Sequence, residues 1–197
     1  MSAAIPLAPV PFELQPFGGD AERAGLGLEG MRLSGKAAVE HGADGAILCI
    51  NYALVGDLGE RPTALLLPPP AEQPNRRDGL WEHTCLEAFV SASAREPYWE
   101  LNLAPSGDWA VYRFDGYRHG QQSPPLEAPP FAMSARPDGL ELELRWPLPA
   151  ELAAASALLV GITAVLEQRN GAISYWALHH PAPAADFHRR EGFRLQL

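Results

Sequence analysis

The sequence predicts an antiparallel β-sandwich, with a β-barrel as the alternative architecture. The chain of 197 residues contains 20 prolines and 18 glycines, which interrupt it too often for long helices. Apolar and polar residues alternate in several segments with the period of two that is typical of strands. Turn-forming residues follow these segments at short intervals, as they do in hairpins.

Two segments in the first half of the chain are predicted to be strands. Residues 45–56 are rich in β-branched and aromatic side chains between two glycines, which predicts a central strand buried on both faces. In residues 84–92, the alternation places Cys85, Glu87 and Phe89 on one face and apolar side chains on the other. Neither face of this second strand is wholly polar.

A hairpin and a half-buried strand are predicted further along. Residues 98–104 alternate, a Pro-Ser-Gly-Asp turn follows at 105–108, and residues 109–115 run back as the second strand of the hairpin. Residues 139–146 alternate most regularly, with leucines and a tryptophan opposite charged side chains. Further elements are predicted as a helical turn at 147–152, strands at 156–168, 172–178 and 193–197, and proline-rich loops at 67–79 and 119–130.

The charge balance and the short apolar runs argue against two classes of partner. The chain has 24 acidic and 15 basic residues, a formal net charge of −9, and no basic patch of the kind that nucleic-acid binding requires. No apolar run approaches the roughly 20 residues that are needed to cross a bilayer. We therefore expect neither a nucleic acid nor a membrane as a partner.

The cysteines and the N-terminal residues bear on the expected cellular location of the protein. Cys49 and Cys85 are too few for a disulfide scaffold and have no metal-ligand spacing, so we interpret both as buried thiols. Residues 1–12 have no positively charged region and contain several prolines, which is unlike a secretory signal. We expect a cytoplasmic protein with a single domain over residues 1–197.

Glu87 is the most informative charged residue, because it shares a strand face with Phe89. A carboxylate buried without a partner is too costly to remain ionised. One hypothesis is an internal ion pair with Arg77, Arg113 or Arg145. The other is that Glu87 opens onto a concave surface, where carboxylate oxygens accept strong hydrogen bonds from sugar hydroxyls.

Tryptophans provide the second indication of a binding site. Trp146 continues the apolar face of its strand and is predicted to lie in the core. Trp81 lies in a charged loop, and Trp176 follows Ser174 and Tyr175 near the end of a predicted strand. An indole stacks on the apolar face of a pyranose ring, and two indoles that face each other can clamp it.

Two other chemistries are possible from the side chains. A metal site would use four residues near the C-terminus, namely His179, His180, Asp186 and His188. Their spacing matches no specific ligand pattern, so the alternative is that Asp186 and His188 hydrogen-bond a loop onto the sandwich. Glu87 and Glu100 could form a carboxyl pair like that of a glycosidase. We predict no metal ligands and no catalytic residues.

Three groups of residues carry a family resemblance. In chain order they are Leu80-Trp81-x-x-Thr84-Cys85-Leu86-Glu87-x-Phe89, then Tyr98-x-Glu100-x-Asn102-x-x-Pro105-x-Gly107-x-Trp109, and the ending Tyr175-Trp176-Ala177-Leu178, Asp186-Phe187-His188 and Gly192-Phe193-x-Leu195-x-Leu197. From about residue 30 to the C-terminus, the chain resembles the bacterial DOMON-like proteins that are related to family 9 carbohydrate-binding modules. The resemblance implies an immunoglobulin-like or jelly-roll sandwich.

The resemblance also implies site residues. In the sugar-binding members, two tryptophans clamp a terminal sugar while acidic, amide and arginine side chains bind its hydroxyls. By position, Trp81 and Trp176 resemble the aromatic pair, and Glu87 resembles the glutamate of an Asp-x-Val-Glu strand. Thr84 stands where that strand often has Asp, which departs from the family pattern for ligand or calcium contacts. The predicted ligand-binding residues are Trp81, Trp176, Glu87, Glu100, Asn102 and Arg113.

The leading functional prediction is therefore non-catalytic binding of a sugar or a similar small polar molecule, without a cofactor. One alternative is a glycan-acting hydrolase that uses carboxylates from the same groove. Another is a haem-binding domain of the same superfamily, whose members ligate iron through Met and His. Apart from Met1, the chain has only Met31 and Met133, and neither lies in a recognisable haem context. A third alternative is an interaction domain whose pocket has degenerated.

Overall fold

The computed structural model describes residues 8–19, 25–28, 30–43, 45–92, 96–125, 131–136 and 138–197. Helix α1 (Ala150–Ala153) and two 3-10 helices (Leu80–Glu82 and Arg190–Gly192) lie within these residues, and none of the helices described there is long and apolar enough to span a membrane. The strands described are β1 (Val10–Glu13), β2 (Gln15–Pro16), β3 (Arg32–Gly42), β4 (Gly45–Val55), β5 (Cys85–Ala92), β6 (Tyr98–Leu103), β7 (Trp109–Phe114), β8 (Phe131–Arg136), β9 (Gly139–Pro147), β10 (Leu158–Glu167), β11 (Ile173–Ala177) and β12 (Leu195–Gln196).

The strands form two antiparallel sheets. The first sheet has the order β1-β3-β4-β9-β8, and the second has the order β2-β11-β10-β5-β6-β7, with β12 also paired to β10. Both sheets pack through their inner faces around one apolar core. The predicted fold class, an antiparallel β-sandwich, is confirmed.

Strand alternation builds this core. Across β4 and β9, Ile50 lies opposite Leu144 and Leu48 lies opposite Trp146, and all four side chains are buried. Across β5 and β10 in the other sheet, Leu86, Ala88 and Val90 lie opposite buried small and branched residues. Since alternate residues of a strand point to opposite faces, Glu87 and Phe89 must then lie on the outer face of the second sheet.

Several predicted elements lie within one residue of their expected bounds. Strands β6 and β7 form the expected hairpin, and β9 is the regular half-buried strand. The prediction that residues 45–56 are buried on both faces is wrong: β4 is buried on one face only, because its sheet packs against the core with one side. Strands β1, β2, β3 and β8 were not predicted from the sequence. Residues 126–130 of the predicted loop 119–130 lie outside the described residues.

The outer face of the second sheet is partly covered by the chain itself. Phe89, Tyr98, Tyr112 and Phe114 form a second apolar cluster there together with Phe193, which follows the second 3-10 helix. Gly161 on β10 allows this contact, because a Cβ atom at that position would lie 2.8 Å from the Phe193 ring. The C-terminal segment is thereby held against one part of the sheet and leaves a cleft beside it.

Candidate functional site

The cleft lies on the outer face of the second sheet and has a volume of about 590 Å³. Its floor comes from strands β5, β6, β7, β10 and β11, and its walls come from the first 3-10 helix and the segment around His188. Aromatic rings line much of the cleft, namely Trp81, Phe89, Tyr112, Phe114, Tyr175 and Phe187. Charged and polar residues on the same surface are Glu82, Glu87, Glu100, Arg118, Gln121 and His188.

Glu87 lies on the floor and is only 2% exposed. Its Oε2 atom accepts a hydrogen bond of 2.9 Å from the Thr163 hydroxyl on the neighbouring strand β10. Burial, together with the nearby Glu100 carboxyl, raises the pKa of Glu87 to about 8. The carboxyl is therefore largely protonated at neutral pH, and it can donate as well as accept a hydrogen bond.

The hypothesis of an internal ion pair for Glu87 is wrong, because the three candidate arginines are engaged elsewhere. Their salt bridges are Arg77 to Asp108 at 3.1 Å, Arg113 to Glu151 at 3.1 Å and to Asp115, and Arg145 to Glu40 at 2.7 Å. Glu87 instead faces the cleft, which is the second of the two positions that its strand pattern allowed.

Glu100 extends the polar floor on β6, and Asn102 lies two residues further along the same strand. In the antiparallel register, Asn102 lies opposite Glu87 and Glu100 lies opposite Phe89, so the two glutamates are diagonal neighbours on one face. The Asn102 side-chain amide donates a hydrogen bond of 2.8 Å to Glu100 Oε1. Burial raises the pKa of Glu100 to about 7. Asn102 is fully buried and supports Glu100 rather than lining the cleft.

His188, which belongs to the C-terminal segment, lies beside Glu100 in the cleft. Its Nδ1 atom lies 2.7 Å from the Tyr98 hydroxyl, which itself accepts a hydrogen bond from the Arg118 backbone amide. We assign the Tyr98 hydroxyl as the donor to Nδ1, which places the imidazole proton on Nε2, 3.9 Å from Glu100 Oε2. Burial lowers the pKa of His188 to about 4, so this contact is not an ion pair at neutral pH.

Trp81 forms the mouth of the cleft. The 3-10 helix that carries it begins after Gly79, whose φ of 76° is in the left-handed region that glycine tolerates. The indole is 40% exposed and meets the Tyr112 ring edge to face, with ring centroids 6.2 Å apart. A large exposed aromatic side chain beside a concave surface is an arrangement suited to ligand contact.

Besides Asn102, two further predicted site residues do not reach the cleft. Trp176 is 1% exposed, lies on the inner face of β11 and donates from its indole nitrogen to the Ser174 hydroxyl at 2.9 Å. Trp176 is therefore a core residue, which corrects the predicted clamp. Because successive residues of a strand point to opposite faces, its neighbour Tyr175 faces the cleft instead. Arg113 likewise lies on the opposite side of β7 from Tyr112, in salt bridges with Asp115 and Glu151.

Tyr112, Tyr175 and His188 are cleft residues that the sequence argument did not select. The sequence contains a pattern that could have placed Tyr112 in the cleft. Pairing the two strands of the predicted hairpin places Tyr112 opposite Glu100, on the same face. His188 had no such signal, because it lies outside any regular strand and its position depends on how the C-terminal segment folds back.

Asp186, one residue of the metal alternative, holds a loop in place. Asp186 accepts hydrogen bonds from the Tyr117 hydroxyl at 2.6 Å and from the Arg118 guanidinium at 3.0 Å. Arg118 has a φ of 50°, an uncommon conformation for a residue with a side chain, and this pairing helps to maintain it. Within the described ranges, no three His, Cys, Asp or Glu side chains are placed to hold a metal ion.

The haem alternative also finds no match in the cleft. Met31 is buried in the core between the sheets, and Met133 packs against the same core from β8. Neither methionine lines the cleft that contains His188. The side chains of this surface therefore do not provide the Met and His pair of the haem alternative.

Comparisons with known proteins give a fold relationship. A scan against family models finds no match, and a search of curated proteins finds none either. A protein from Bacteroides uniformis, described as a candidate carbohydrate-binding protein, has a solved structure that is 13% identical to this chain. The TM-score is 0.55, and the match covers 92% of this chain and 84% of that one.

Family 9 carbohydrate-binding modules are more distant. A module from Caldicellulosiruptor kristjanssonii, solved with cellotriose and with glucose, is 13% identical and has a TM-score of 0.40. These matches cover 74% of this chain and 65% or 66% of the module chains. The Bacteroides likeness supports the class defined by the strands, a two-sheet antiparallel β-sandwich.

Proposed function

We propose that this protein is a non-catalytic carbohydrate-binding β-sandwich of the DOMON-like type, and that it binds a sugar in the cleft beside Trp81. The observation that carries the proposal is the convergence of an exposed indole with two glutamates on one concave surface. Trp81 provides an apolar platform at the mouth, and Glu87 and Glu100 provide directional hydrogen bonds on the floor. The fold likeness to the candidate carbohydrate-binding protein of Bacteroides uniformis supports it.

Each part of the cleft has a role in this proposal. The sugar ring stacks on Trp81, and Tyr112 holds the indole edge to face. At neutral pH, Glu87 donates a hydrogen bond through its protonated carboxyl, while Glu100, whose pKa is about 7, accepts or donates. Asn102 keeps the Glu100 carboxyl in position.

Isothermal titration calorimetry with a panel of mono- and disaccharides tests the proposal. We expect a bound sugar whose affinity falls by about tenfold or more in Trp81→Ala, because truncating a central aromatic contact typically costs that much. Trp81→Phe should retain part of the affinity. Val55→Ala removes an exposed apolar side chain from the other sheet and serves as the control. The absence of binding by every sugar would contradict the proposal.

A glycan-acting hydrolase is the second candidate, and the carboxyl pair favours it. The pKa values of about 8 and about 7 would allow Glu87 to act as an acid and Glu100 as a base. Both side chains, however, rise from one sheet face, whereas a glycosidase needs carboxyls that flank the scissile bond. Turnover of chromogenic glycosides that is abolished in Glu87→Gln would establish the hydrolase and overturn the binding proposal.

A further inference from the structure

We propose that the preferred ligand is a sugar with a free, protonated amino group, and that Glu87 and Glu100 together bind this ammonium. The inference rests on the proposed function, since it names the class of sugar that the same cleft takes. It follows from the balance of charge in the cleft and from the rings around the two carboxyls.

The groups that face Glu87 provide no positive charge to stabilise its ionised carboxylate. Thr163 donates one hydrogen bond from β10, and the Glu100 carboxyl approaches from β6. The thiol of Cys85 is near on the same strand, and the Tyr52 hydroxyl, from the other sheet, donates to the Glu87 backbone carbonyl rather than to its carboxyl. In the described part of the chain, no lysine or arginine forms a salt bridge with Glu87.

The positive groups near Glu100 are already engaged. Arg118 lines the cleft, but its guanidinium is paired with Asp186 at 3.0 Å. His188 is neutral near pH 7 and lies 3.9 Å from the carboxyl. Glu82 adds another carboxylate at the rim. The cleft therefore holds more acidic than available basic groups, which disfavours a uronate or a sugar phosphate.

The aromatic walls favour the same kind of ligand. The negative face of an aromatic ring attracts a cation, and this attraction strengthens when water is excluded. Phe89, Tyr112 and Phe114 are buried on the floor of the cleft beside the glutamates. An ammonium at this position would meet aromatic rings as well as the carboxyls. It would provide Glu87 with a positive partner, and it would add to the charge of Arg118, which already lowers the pKa of Glu100 in part.

Binding of an ammonium should displace a proton. The pKa of Glu87 is about 8, so most of the free protein carries a proton on this carboxyl at pH 7. A cation beside the carboxyl favours its ionised form, and the proton then passes to the buffer. A neutral sugar leaves the carboxyl protonated. Proton release thus distinguishes the two classes of ligand.

The experiment is calorimetry of the full chain at pH 7 with glucose, N-acetylglucosamine, glucosamine and 6-amino-6-deoxyglucose, in buffers of different ionisation enthalpy. We expect at least one free amino sugar to bind about tenfold more tightly than glucose, because a charged hydrogen bond is stronger than a neutral one. Its binding should release a proton, and that of glucose should not. In Glu87→Gln, the ratio of amino-sugar to glucose affinity should fall toward one, whereas Glu143→Gln, at an exposed position on β9, should keep it.

The outcomes separate the two proposals. If glucose binds and neither free amino sugar binds more tightly, the ammonium inference is overturned while sugar binding stands. If the amino-sugar preference persists in both Glu87→Gln and Glu100→Gln, recognition by these carboxyls is overturned. If no sugar binds, the proposed function fails and the inference fails with it. The affinity order and the proton release of the unmodified protein decide the question even if a variant does not fold.

Discussion

Glu87→Gln should gain stability relative to the unmodified protein as the pH rises from about 5 to about 8. The folded chain raises the pKa of Glu87 from its ordinary value of 4.5 to about 8, through burial and the nearby Glu100 carboxyl. Between these two pH values, the folded protein holds a proton that the unfolded chain has released. The stability linked to this proton is fully present below pH 4.5 and is lost as the pH rises through about 8.

The size of the effect follows from this interval. One proton corresponds to a slope of about 1.4 kcal/mol per pH unit in the free energy of unfolding, or roughly 5 kcal/mol over the whole interval from pH 4.5 to about 8. Glutamine has a similar shape but carries no such proton. The difference in stability between Glu87→Gln and the unmodified protein should therefore grow by about 1.4 kcal/mol per pH unit between about pH 5 and 8, in favour of the variant.

Other groups contribute to the absolute curves. Glu100, whose pKa is about 7, adds a loss of stability with rising pH. His188, whose pKa falls from 6.5 to about 4, adds a loss in the opposite direction, as the pH falls below 6.5. Both residues are present in the two proteins, so the difference between the curves reports Glu87 together with its coupling to Glu100.

Urea unfolding followed by tryptophan fluorescence at several pH values from 5 to 8 measures this difference. Glu143→Gln, at an exposed position on β9, is the matched control and should give a curve parallel to that of the unmodified protein. If the Glu87→Gln curve is also parallel, Glu87 does not hold the proton, and the explanation of its burial is refuted.

Three further predictions concern stability and the cleft. Trp176→Ala should lower the free energy of unfolding by about 3 to 5 kcal/mol in urea titrations, because it opens a cavity in the core, whereas Trp81→Ala should change it by less than about 1 kcal/mol. Equal losses in the two variants would contradict their assigned positions. Gly161→Ala should cost about 1 to 3 kcal/mol, because its Cβ would lie 2.8 Å from the Phe193 ring, and proteolysis near the C-terminus should then be faster. Thr163→Val should raise the pKa of Glu87 further, since the hydroxyl that it removes favours the ionised carboxyl. An NMR titration of Glu87 that shows no increase would count against that contact.

Part of the candidate site was predictable from strand alternation. The alternation grouped Glu87 with Cys85 and Phe89 on one face, as in the structure, but left open whether that face opens onto a cleft. The hairpin placed Glu100 on a strand that could pair beside it. Trp81 stood out as a tryptophan in a charged loop. Family position, by contrast, suggested Trp176, and alternation within β11 turns that residue into the core and Tyr175 toward the cleft. Strand alternation therefore indicates the faces of Trp176 and Tyr175 better than position in the family pattern does, because alternation follows directly from backbone geometry.

The amino-acid sequence by itself determined the β-sandwich class and the alternating faces of strands such as β5 and β9, because alternation and turn residues act over a few positions. It did not determine the faces of β4, which is buried on one side only. Only the tertiary structure decided which outer face forms a cleft. His188 and Phe187 reach it because the C-terminal segment folds back over β5 and β6, and Tyr98 holds the imidazole there. Glu87 remains without a salt bridge because its candidate arginines find carboxylates nearer to them. Such long-range contacts depend on the packing of the whole chain, so they cannot be derived from a local sequence pattern.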